Sequence, residues 1–131
     1  YKACAPENYT RGRKEPVRYL VIHYTANDGD TARGNAAYFA RENGGHTSAH
    51  YFVDEKEVWQ SVKEGDTAHH CGAKSYRHPH CRNHNSIGIE LCSRKGDMFF
   101  FPRRWSGPLC SPVRSWKNTA WGRNMCCVIT M

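Results

Sequence analysis

Apolar and polar positions sort the first two thirds of the chain into five elements. In "RYLVIHYTAND", Tyr19, Leu20, Val21 and Ile22 form an apolar, partly β-branched run, which predicts a buried strand over residues 18–25 with His23 at its end. "NDGDTARGNAAYFARENGG" predicts a helix over residues 31–42. Asp28 or Asp30 is the expected N-cap, Ala36, Ala37 and Ala40 favour helix, and Gly44 can stop it in the left-handed conformation. "TSAHYFVDEKEVWQSV" predicts a hairpin whose strands, 49–53 and 58–62, flank a polar turn at 54–57. After the His-rich loop "DTAHHCGAKSYRHPH", the run "NSIGIELCS" predicts a further strand over 87–91. Residues 1–17 are polar with two prolines and read as an irregular lead-in. The order strand, helix, strand, strand, strand implies an α/β fold, with helices packed on a mixed sheet.

Composition changes this picture at one place. The chain has 131 residues, a length suited to one core, and no apolar run of membrane-spanning length. The net charge of +7 invites a polyanionic partner, but its distribution argues against nucleic acid. All 12 acidic residues lie at or before Asp97, alongside 14 of the 19 Lys and Arg. Beyond Asp97 come five Arg or Lys, three of the four Trp, three of the seven Cys and no acid. The chain opens on Tyr1 rather than Met, so it is expected to continue a longer one, with any signal peptide out of view.

His23, His50, His69, His70 and Glu90 are the residues that could carry chemistry. Taken singly, each has an ordinary explanation: a core imidazole, an outward strand position, polar loop residues. An acid within "SIGIEL" is costly to bury without a partner. Seven cysteines cannot all pair internally, and Cys71 and Cys81, which flank the His-rich loop, could bridge, bind metal or stay reduced.

Together, "VIHYTA", "SAHYFVDEKEV", "DTAHHCGA" and "NSIGIELCS", in this order and spacing, resemble the zinc-dependent N-acetylmuramoyl-L-alanine amidases. That superfamily includes phage amidase-type lysozymes and peptidoglycan recognition proteins. The resemblance spans roughly residues 6–95. It implies a central mixed β-sheet flanked by helices, and hydrolysis of the amide between the muramic acid lactyl group and L-alanine in peptidoglycan. It implies His23 as the first zinc ligand, Glu90 as the acid that helps activate water, His70 as a lining residue of the substrate cleft and His50 as a position beside it. His69 stands where relatives often carry Trp. The expected partner is peptidoglycan, met by a monomer outside the cell, in the wall or on release from a phage-infected cell as an endolysin or autolysin. Neither nucleic acid nor membrane is expected.

The resemblance stops at the tail. The family's second zinc ligand lies in a motif like "RHYDVT", and an Asp or Cys follows it; neither motif is present, nor is the long amphipathic helix before them. Back-translation of "WKNTAWGRNMCCVITM", read two bases later, permits "EEYGVGAEHVLRHYD", which contains the missing motif. "WSGPL" permits "ERAA" in the same shifted frame. With GTA and ACN next, for Val-Thr, the original frame meets TAA just after Met131. "FFFP", at residues 99–102, implies T-rich then C-rich codons, where a base is readily lost. Residues 1–98 are therefore expected to be the N-terminal part of an amidase domain with an incomplete zinc site and no C-terminal helix. Residues 99–131 are expected to be an aberrant basic tail, out of frame from about Phe101. The alternatives are a divergent but genuine tail, a non-catalytic peptidoglycan-binding module, or a structural zinc module built on Cys71, Cys81 and nearby His.

Overall fold

The computed structural model describes residues 1–42, 44–72 and 78–92, and the backbone of residues 126–130. Seven strands and one α-helix are present among them. β1 (Tyr9–Thr10) precedes β2 (Tyr19–Tyr24), α1 (Ala32–Phe39), β3 (Tyr51–Val53) and β4 (Val58–Gln60). β5 (Thr67–Ala68), β6 (Ser86–Leu91) and β7 (Cys126–Thr130) follow. Five of them form one sheet in the order β4-β3-β6-β2-β7. β6 runs parallel to both β2 and β3, whereas β4 and β7 are antiparallel to their neighbours, so the sheet is mixed as expected. β1 and β5 make a separate antiparallel pair.

The predicted strand, helix and hairpin lie where the apolar pattern puts them. The helix, however, starts differently. Thr31, not Asp28 or Asp30, is its N-cap, with the Gly34 N–H donating to Thr31 Oγ1 at 3.0 Å. A second N-terminal donor, the Ala32 N–H, is met by Asp54 Oδ2 at 2.8 Å. The other oxygen of Asp54 accepts from the Lys56 and Glu57 N–H groups, so one carboxylate shapes the hairpin turn and caps the helix. α1 also ends before Gly44, at Phe39. The Phe39 carbonyl, which a longer helix would use internally, accepts instead from the Ala5 N–H, Cys4 Sγ and Asn8 Nδ2. The lead-in is thus not irregular throughout. It forms a 3-10 turn (Pro6–Asn8) and β1, and it closes the helix end.

α1 packs Ala32 and Ala36, both fully buried, against Phe52, Ala49 and Cys92, and Phe39 stacks on Phe52 at 5.2 Å between ring centroids. A second cluster joins Cys4, Val62 and Ala68, and a third joins Tyr19, Val21 and Cys81. Among the described residues no helix is long and apolar enough to cross a membrane. The expected loss of the C-terminal helix falls on residues 93–125, outside the described residues. The apolar run Cys126–Thr130, for which no element was expected, pairs antiparallel with β2 at one edge of the sheet.

Candidate active site

β2 and β6 pair in parallel with His23 opposite Glu90 and Val21 opposite Gly88, so these side-chain positions share one face of the sheet. Phe52, opposite Glu90 on β3, shares it too and carries α1 on that side. Between α1 and the Tyr19–Val21–Cys81 cluster the same face receives His70 from the segment after β5. Its ring packs on Gly88, and a Cβ there would sit 2.5 Å from His70 Cγ. The missing side chain is the space the imidazole occupies.

A chain of hydrogen bonds then fixes the tautomers. Ser86 Oγ donates to the Arg82 carbonyl at 2.6 Å, so it must accept from His70 Nε2, 3.1 Å away. His70 Nδ1 is left as an acceptor and takes the proton of His23 Nε2 at 2.9 Å. The lone pair of neutral His23 therefore resides on Nδ1. Burial holds His23 down to about 4, and it pushes His70 lower as well, aided by the neighbouring His23 and His50. Both rings are neutral near pH 7.

Glu90 behaves in the opposite sense. Burial, reinforced by the negative charge of Asp30 at the mouth of α1, pushes its carboxyl up to about 7. A carboxyl that titrates near neutrality can both take and return a proton.

His50 lies beneath this surface and is fully buried. The Gly88 N–H donates to its Nδ1 at 3.0 Å, and Gly88 accepts from the His50 N–H at 3.0 Å. Burial, and then the cationic Arg13 beside it, keep its ring near 4. Arg13, which gave no signal in the polar lead-in, donates to the carbonyls of Glu64, Asp66 and Ser86 and reaches within 2.9 Å of His50 Nε2. His69 turns away from His23: its ring bonds Thr10 Oγ1 and the His46 carbonyl. The fold thus brings His23, His70 and Glu90 together, sets His50 behind them as a support and keeps His69 apart. Ser86, Gly88 and Arg13 complete the arrangement. Only the glycine inside an apolar strand run was a cue, since such a residue often marks a close approach.

A catalytic zinc takes three protein ligands and leaves one position open. His23 Nδ1 offers one donor. Among the described residues no group of three His, Cys, Asp or Glu is arranged to hold a metal ion. The described residues therefore do not fit a catalytic zinc.

The N-acetylmuramoyl-L-alanine amidase family model matches residues 13–109. The amidase CwlL of Bacillus licheniformis is 36% identical over 94 residues, covering 63% of this chain and 25% of its own length. The amidase AmiD of Escherichia coli is 35% identical over 86 residues, covering 60% and 29% respectively. The chain thus spans about a quarter of the length of these curated relatives. Among solved structures, a mutant endolysin from Bacillus subtilis superposes with a TM-score of 0.58 at 28% identity, covering 72% of this chain and 60% of that one. The catalytic domain of XlyA gives 0.54 at 29% identity, covering 69% and 57%.

Proposed function

The chain belongs to the N-acetylmuramoyl-L-alanine amidase family, and we propose that its cleft takes the amide joining the muramic acid lactyl group to L-alanine in peptidoglycan. The observation that carries this reading is the meeting of His23 and Glu90 in register with His70 hydrogen-bonded between strand and loop. Amide hydrolysis adds a water oxygen to the carbonyl carbon, breaks the C–N bond and delivers a proton to the leaving nitrogen. Glu90 is suited to both proton steps, accepting from water and returning the proton to the L-alanyl nitrogen. His70 lines the cleft, His50 holds Gly88 and hence the His70 ring, and His23 is the first metal ligand. The setting is the bacterial wall, reached as an endolysin or autolysin.

With a single ligand in place, the 131-residue chain binds muropeptides but does not hydrolyse them. The histidine motif of the second ligand is permitted by the shifted reading frame of the tail, and one base restored within codons 99–104 brings that motif back. Titration of the chain with a muramyl-L-alanyl peptide, followed by NMR at the histidine ring signals, tests the cleft. Saturable shifts are expected at His23 and His70, and His70→Ala weakens them. Shifts confined to the His69 or His84 rings would refute the assignment.

A further inference from the structure

Among the described cysteines, Cys71 packs against the cluster that holds Cys81, and its Sγ also lies 3.4 Å from His70 Nδ1 at the rim of the candidate site. Cys81 is 4% exposed in the cluster with Tyr19 and Val21, and half-buried Cys71 packs against that cluster within hydrogen-bond reach of the Cys81 thiol. Both backbones are fixed by side chains. Asn83 Oδ1 accepts from the His70 and Cys71 N–H groups at 3.1 and 2.7 Å, and His78 Nδ1 accepts from the Cys81 N–H at 3.2 Å. The other two described cysteines sit elsewhere: Cys4 donates to the Phe39 carbonyl, and Cys92 accepts from Asn35 beside α1.

We propose that Cys71 and Cys81 form a dithiol that closes to an intramolecular disulfide when the protein meets a low-molecular-weight disulfide such as oxidised glutathione. Cys71, the more exposed, attacks the oxidant as thiolate, forms a mixed disulfide and releases one small thiol. Cys81 then attacks the Cys71 sulfur, the protein S–S bond forms and the second small thiol leaves. Two electrons and two protons pass from the cysteine pair to the oxidant, which is reduced to two thiols. The bridge ties the residue after His70 to the β2 core, and it constrains the unfolded chain by closing residues 71–81 into a loop. Such a bond is at home outside the cytosol, where disulfides persist.

The test oxidises the full 131-residue chain with glutathione disulfide, blocks remaining thiols with N-ethylmaleimide and digests with trypsin. Cleavage after Lys63, Lys74, Arg77 and Arg82 separates the two cysteines. The expected product is residues 64–74 joined to residues 78–82, lighter by two hydrogens than the reduced pair and lost on dithiothreitol treatment. Cys71→Ser and Cys81→Ser each abolish it, and the oxidised wild-type chain melts above both variants until reductant removes the difference. Maleimide on both cysteines after oxidation, or Cys71 joined to another cysteine in the native chain, would overturn the proposal.

Discussion

A methyl group added at Gly88 would meet the His70 ring at 2.5 Å, and the same glycine is bonded on both sides of its peptide to His50. Gly88→Ala should therefore displace His70 from His23 and cost about 1–3 kcal/mol, as overpacking of a filled site does. Urea denaturation gives the cost, and loss of the shared His23–His70 proton in NMR gives the displacement. Glu90 yields a pH prediction. Its folded pKa, about 7, lies above the ordinary 4.5, so the folded state holds a proton that the unfolded state has released between those values. Stability attributable to Glu90 accordingly falls as pH rises from about 4.5 to about 7. Glu90→Gln removes that loss, so the variant should gain on wild type between pH 4.5 and pH 8 in chemical denaturation; an equal or reversed difference would contradict the burial assigned to it. His23 and Glu90 were legible in the sequence because each sits in a strand run whose ordered motifs resemble a family. Arg13 and the support given by His50 were not, because their contacts lie far apart in sequence and leave no local period.

At the level of elements, Asp54 and Thr31 make an instructive pair. Thr31→Ala removes one cap and should cost about 1 kcal/mol. Asp54→Ala strands three N–H groups at once, those of Ala32, Lys56 and Glu57, and should cost more, about 2 kcal/mol. Burial opposes ionisation of Asp54, but those three donors hold its carboxyl below the usual range. Parallel urea titrations of the two variants check the order. The hairpin and both long strands could be read from alternation and apolar runs. The N-cap could not, because Asp28, Asp30 and Thr31 all carry an oxygen able to cap, and only the tertiary position of Asp54 selects the start. Nor could β1 and β5, two residues each, since a pair that short has no periodicity and is held by long-range contacts.

For the molecule as a whole, we propose a shifted frame as the common cause of the composition break after Asp97 and the missing histidine motif. Alternation puts Leu20 and Ile22 on the sheet face opposite His23, where both are only half-buried, in contrast to Tyr19 and Val21. That is the face an amphipathic helix encoded in the other frame would cover. Sequencing the source DNA across codons 99–104 is expected to reveal a missing base, and the restored protein should melt higher and bind less of a hydrophobic dye than the chain as written. An unbroken frame in independent reads would remove this explanation. The most direct measurement compares zinc-dependent release of L-alanyl peptides from peptidoglycan by the 131-residue chain and by its frame-restored counterpart. The expected result is release by the restored protein alone, sharply reduced by His23→Ala or Glu90→Ala. Zinc-dependent release of L-alanyl peptides by the 131-residue chain itself would contradict the account.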